Sequence, residues 1–325
     1  MTAEDVSGGE RGRGWLAAHV FMKGVVMGAD GDRMLAEVVY PFVEREYRDG
    51  SIGRYFYIRY GELGPHLRVR FHGDLARLRG EVAPRFERHV MDRLPEGLAG
   101  SPAPEPAAVD LPNTHPSVRW IPYEPESARY GGPDGVRVAE RLFHVSSAVC
   151  AELLRAPQDR ESRLGVSLSA AVVGLRAFCD RADEAIERAR QHRDHFLAAT
   201  AWDQPAAPVL ASFDRAYAAQ GPALCPLVQA LWEAAGSGDS TDLPPALGRY
   251  HEALLQARDA LTRLSREGRL TYEEVPVRRP SAIAEAFLWS YSHMTHNRLG
   301  VAPLDECYVM HIAARALGSP WPDAG

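Results

Sequence analysis

The chain has 325 residues, 46% of them hydrophobic and 25% charged, with a formal net charge of −6. That is enough apolar material for one large domain or two lobes, and the acidic balance argues against direct nucleic-acid binding, which leaves a basic footprint. No run approaches the length of a membrane span, and the polar, Gly-rich start from Met1 to Gly14 carries no apolar segment of the signal-peptide kind.

The four cysteines, Cys150, Cys179, Cys225 and Cys307, are widely spaced and form no metal-type pair. Three of them sit in apolar surroundings typical of core thiols. A reduced, cytoplasmic protein is the expectation.

In chain order, residues 1–14 read as a disordered tail and residues 15–27, opening on Trp15, as a first strand. Asp32 is predicted to cap a helix over 33–48, with Pro41 as a kink or break. Arg54 to Tyr60 is rich in strand-favouring aromatics, Gly61 to Pro65 is turn chemistry, and His66 to Phe71 alternates polar with apolar. Two such runs joined by five residues containing Gly read as a β-hairpin. Residues 74–94 look helical, 95–116 is a Pro-rich loop, and Val118 to Tyr123 is a short strand. Helices are then predicted at 136–155, 164–198, 208–219, 223–235, 244–266, 280–299 and 303–317. A flexible loop is expected at Gly236 to Ser240 and a tail at 319–325. The fold class is α+β: an antiparallel sheet from the N-terminal third packed with a largely helical C-terminal part, in one domain spanning 15–318.

Three motifs carry chemistry. In a strand, residues two apart share a face, so His66, Arg68 and Arg70 line one side while Leu67, Val69 and Phe71 line the other. Two guanidiniums then lie within reach of one small anion, and arginine forks grip a carboxylate in a way lysine does not reproduce. The same alternation also suits a half-exposed strand whose arginines meet water or helix carboxylates. The second motif runs from Tyr123 to Gly132. Glu126 and Arg129 are three apart and pair if the segment makes a helical turn, which Gly131 and Gly132 end while permitting close backbone approach. Alone, this is also an ordinary surface ion pair.

The third motif is His293-Met294-Thr295-His296-Asn297-Arg298, on a helix that Ser281 is expected to cap at its start and Gly300 at its end. His293 and Asn297 share a face with Trp289, and the imidazole of His293 is a candidate acid or base. A structural histidine is the alternative. No companion acid is placed by motif to make a metal site, so none is expected. The His-x-x-His at His192 and His195 lies in a strongly charged helix and reads as solvated.

Together these motifs make the chain resemble the C-terminal glutamate-elimination domain of class I lantibiotic dehydratases, in the stand-alone form of thiopeptide-type bacteriocin biosynthesis. The resemblance runs from Trp15 through the hairpin to the final helices. It implies catalytic roles for Arg68, Arg70, Glu126, Arg129 and His293, with His66, Tyr130, Asn297 and Arg298 as further substrate contacts, and no cofactor. It implies a carbon–oxygen lyase that expels glutamate from glutamylated Ser or Thr of a precursor peptide, giving dehydroalanine or dehydrobutyrine. The partners implied are that peptide and a separate tRNA-dependent glutamylating protein, and a homodimer is compatible with this. The three motifs are expected to converge on one pocket. Two other readings stand beside it: a pyridine synthase of the same fold, which joins two dehydroalanines and ejects the leader peptide, and a non-catalytic subunit that binds the leader peptide.

Overall fold

In a computed structural model, residues 12–101, 117–155, 159–200, 205–238 and 240–320 are described. Residues 1–11 and 321–325 of the expected tails, the 102–116 part of the Pro-rich loop, and Asp239 of the Gly-rich loop lie outside these residues. The chain divides into two compact units: Met1–Pro125 with Leu154–Pro157, and Glu126–Leu153 with Gln158–Gly325.

The first unit is built on a four-stranded antiparallel sheet. Its strands are β1 (Arg13–Phe21), β2 (Arg54–Tyr60), β3 (His66–Asp74) and β4 (Val118–Ile121), in the order β2-β3-β1-β4. The helical segments between them are α1 (Ala29–Arg33), α2 (Tyr40–Arg48), α3 (Leu75–Arg77) and α4 (Ala83–Arg93). The predicted hairpin is present as read, with Tyr60 opposite His66 and Arg54 opposite His72. Alternation sorts the side chains. Leu67, Val69 and Phe71 pair with Val20, Ala18 and Leu16 of β1 and are buried. Phe71 meets Phe42 of α2 and Phe86 of α4 with ring centroids 6.0 and 5.1 Å apart, while Trp120 donates its indole N–H to Glu87 at 2.6 Å. An apolar face covered by helices in this way supplies most of the unit's stability.

The first strand is shorter than the expected 15–27, ending at Phe21. Asp32 does not cap a helix. The helix starts earlier, at Ala29, and Asp32 instead accepts from buried Arg59 at 2.7 Å. Pro41 breaks nothing, because a wide π-helical turn over Met34–Val39 carries the chain into it. A second such turn, Leu78–Val82, precedes Pro84. Proline lacks an N–H and crowds the carbonyl four residues back, and a widened turn relieves both.

The second unit is helical: α5 (Gly132–Leu153), α6 (Arg160–Phe178), α7 (Ala182–Thr200), α8 (Ala206–Gly236) and α9 (Pro245–Arg266), then a small hairpin of β5 (Thr271–Tyr272) and β6 (Val275–Pro276), and finally α10 (Ser281–Ile283), α11 (Trp289–Leu299) and α12 (Pro303–Leu317). The helix expected at 164–198 is two helices, divided at Cys179–Arg181. The pair expected at 208–219 and 223–235 is one, with Pro222 and Pro226 inside it. The β5–β6 hairpin escaped prediction because Glu273 and Glu274, not Gly or Asn, take the positive-φ positions of its turn. Ser281 makes no capping hydrogen bond, whereas Gly300 ends α11 in the left-handed region at φ 74°. A third π-turn, Ala284–Leu288, leads into α11 and has no proline after it. Among the described residues, no helix is long and apolar enough to cross a membrane.

Candidate functional site

On β3, His66, Arg68 and Arg70 do share a face, with Ala17, His19 and Phe21 of β1 and Phe56, Ile58 and Tyr60 of β2 opposite them. The guanidinium carbon of Arg68 lies 3.4 Å from the Tyr60 ring centroid, and its Nε donates to His66 Nε2 at 3.2 Å. Arg70 lies over Phe56 and Tyr123, at 4.9 and 5.2 Å. Aromatic faces hold guanidiniums in place without neutralising them. His66 is fully buried, stacked on His19 with centroids 4.8 Å apart, and bonded through Nδ1 to the Gly64 carbonyl. Burial first, then neighbouring His66 and the arginine charges, pushes His19 down to about 2; burial, then Arg54 and Arg13, takes His72 to about 4, and burial takes His66 to about 4. At neutral pH the charge of this face therefore resides on the arginines.

In the second unit, the 126–132 part of the motif makes the predicted turn: Tyr130 N–H bonds the Glu126 carbonyl at 3.1 Å. Gly131 and Gly132 have φ of 96° and 76°, and a Cβ on Gly131 would stand 2.8 Å from Leu270 Cδ1. This turn fixes Arg129, which reaches α11. Its Nε donates to Ser290 Oγ at 2.8 Å, its guanidinium lies 4.7 Å from the Trp289 ring, and Nη1 pairs with exposed Glu126 at 3.3 Å. Tyr130 is buried, its ring parallel to that of Tyr291.

One turn along α11 from Trp289, His293 is one-fifth exposed and donates from Nδ1 to Glu306 Oε2 at 2.8 Å. Glu306, buried on α12, also accepts from buried His192 Nε2 of α7 at 2.6 Å, and His296 Nδ1 stands 3.2 Å from it in contact without hydrogen-bond alignment. Burial alone would raise the Glu306 pKa. The hydrogen bonds from His192 and His293 and the nearby His296 override that and hold it well below the usual carboxylate range. Burial lowers His192, leaving a neutral imidazole beside an ionised acid. An ionised carboxylate can only accept, so the Nδ1 position of His293 holds a proton, and in the neutral imidazole the lone pair falls on Nε2.

His192 is thus not the solvated residue expected from its charged surroundings, and His293 has a companion acid that no motif placed. Glu306, and its grouping with His192 and His296, went unread because the contacts cross three helices. One signal was available: His192 falls in register with the buried Ala185, Ala189 and Phe196. His192, His296 and Glu306 offer donor atoms within 4.8 Å of one another, as a metal site would. Two ligands on one zinc ion stand about 3.3 Å apart, however, so the 2.6 Å contact is that of a hydrogen bond. Arg298 turns inward. It is fully buried, bonding Ser147 Oγ and the Met294 carbonyl and lying 4.6 Å from the Phe143 ring, while Asn297 is half-buried.

A surface pocket of about 220 Å³ opens beside this cluster, lined by Arg188, Gln191, His192 and His195 of α7, by the π-turn, and by Trp289 and Ser292 of α11. Turns of this kind concentrate at functional positions.

With that geometry established, the sequence matches the lantibiotic biosynthesis dehydratase C-terminal family over residues 15–317. The chain belongs to this family. Among solved structures of similar fold, TsrL superposes with a TM-score of 0.70 at 18% identity, over 94% of each chain. TbtD, the pyridine synthase from thiomuracin biosynthesis, gives 0.70 at 17% over 93% of this chain and 97% of its own. The tRNA-dependent lantibiotic dehydratase MibB from Microbispora sp. 107891 gives 0.64 at 20%, covering 93% of this chain but 28% of MibB. No curated protein matches the chain in sequence.

Proposed function

We propose that this dehydratase-family chain is a lyase that removes glutamate from glutamylated Ser or Thr of a ribosomal precursor peptide, a separate protein having attached the glutamate. The observation that carries this reading is His293, whose Nδ1 is committed to a buried carboxylate and whose Nε2 is left to exchange a proton. The step is a β-elimination. The base takes the α-proton, and the electron pair left on Cα forms the double bond to Cβ. The Cβ–O bond then breaks, and its electrons depart on the glutamate carboxylate.

Negative charge grows at the peptide carbonyl and on the leaving group, which calls for fixed cationic donors. We assign proton transfer to His293 and anion binding to Arg68, Arg70 and Arg129. Glu126 holds Arg129, His66 holds Arg68, and Asn297 faces substrate. Arg298 and Tyr130, both buried, serve the fold instead.

The likeness to TbtD along the full length of both chains favours pyridine formation as a second reading. One experiment separates the readings. The purified chain is mixed with a glutamylated precursor and, separately, with a peptide bearing two dehydroalanines, and products are followed by mass spectrometry. Glutamate loss is expected, falling about 100-fold or more in His293→Ala. Unchanged turnover would remove His293 from the mechanism. Ring closure with leader loss would instead establish the pyridine reading, and tight binding without product a leader-binding subunit.

A further inference from the structure

We infer that the pocket beneath α7 is an amino-acid subsite in which Arg188 binds the side-chain carboxylate of a glutamyl group. Arg188, Gln191, His192 and His195 lie at helical spacing on one face of α7 and line it together. Arg188 is four-fifths buried. Its Nη1 donates to Gln191 Oε1 at 2.8 Å and forms a loose ion pair with exposed Glu285 at 3.8 Å, beyond hydrogen-bond distance. Its Nε is buried with no hydrogen-bond partner. A buried donor without a partner is costly, and the edge of the guanidinium formed by Nε and Nη2 is one of the two whose spacing matches the two oxygens of a carboxylate.

The rest of the pocket suits a short aliphatic chain behind that carboxylate, with Leu175, Leu288 and Met310 beside the Trp289 ring. At about 220 Å³ it falls below the roughly 300–1,000 Å³ of sites for drug-sized ligands, which confines the occupant to the scale of one amino acid. Glutamate delivered by a tRNA is linked through its α-carboxyl, so a glutamyl ester keeps its side-chain carboxylate and α-ammonium free. Arg188 takes the first, and Glu285, on the same wall, is the only acid among the lining residues for the second. The choice of glutamate rests on the elimination reading; the choice of a small carboxylate does not.

The test is equilibrium binding of free L-glutamate and L-glutamine to the intact chain, by calorimetry or ligand-observed NMR, for the wild type, Arg188→Gln and Arg188→Lys. Each variant is checked for an unchanged melting profile. Glutamate is expected to bind about tenfold or more tightly than glutamine, with the preference lost in both variants, since lysine lacks the fork. No glutamate binding, equal binding of the two amino acids, or a preference retained in Arg188→Gln overturns the assignment. Turnover is scored separately. Glutamate bound through Arg188 without elimination would keep the subsite and discard the lyase reading. Elimination with an unaltered KM in Arg188→Gln would do the reverse.

Discussion

At the scale of single residues, Glu306 decides what His293 can do. Its two oxygens are shared between His192 and His293, at 2.6 and 2.8 Å. Replacement by Gln would neutralise that acceptor and turn an amide N–H₂ toward one imidazole, freeing the tautomer of the other. Glu306→Gln is therefore expected to lower turnover about 100-fold or more with little change in KM, as loss of an orienting carboxylate does in a Ser-His-Asp triad. Imidazole ¹⁵N shifts check the cause. The wild type should show His293 protonated on Nδ1 alone, and the variant a mixture of tautomers. A variant that loses turnover while keeping the Nδ1 tautomer would assign Glu306 a purely structural part.

At the scale of elements, the turn before α5 shows how backbone conformation aims a functional group. Gly131 has φ 96° and no room for a Cβ, which would meet Leu270 at 2.8 Å and Gly135 Cα at 3.0 Å. Gly131→Ala is expected to cost about 1–3 kcal/mol in urea unfolding and to raise the KM for glutamylated peptide by displacing Arg129. An unshifted midpoint would contradict the strain argument.

The elements also show what a sequence discloses. The β2–β3 hairpin was legible almost to the residue, because period-two alternation and the Gly-containing turn are local signals, and the end of α11 was legible from Gly300. The division of the 164–198 region was not, since no Gly or Pro near Cys179 marks a break and only the acids Asp180, Asp183 and Glu184 signal a new start. Nor was the continuity of α8 through two prolines. The arginines of β3 declared themselves by spacing, whereas the carboxylate that holds His293 lies 13 residues away on another helix and its other partner, His192, lies 114 residues from it. Contacts of that kind come from packing and leave no local pattern.

At the scale of the whole molecule, neutral buried histidines make stability depend on pH. His66 and His72 stand at about 4 in the folded protein against 6.5 when unfolded, and His19 at about 2. Between those values the unfolded chain binds more protons than the native one, so stability is complete above about 6.5 and declines as pH falls toward 4. The urea midpoint is expected to drop steadily from pH 7 to 4.5, and His66→Phe is expected to flatten that slope. A midpoint constant over this range would show that these imidazoles titrate alike in both states.

The Glu306 anchor also joins events that are usually separate. One oxygen answers to His293 and the other to His192, which forms a wall of the amino-acid pocket. When His293 gains a proton, its bond to Glu306 becomes an ion pair and draws charge away from the His192 side. A proton on His293 thus acts, through one shared carboxylate, on a side chain that lines the pocket.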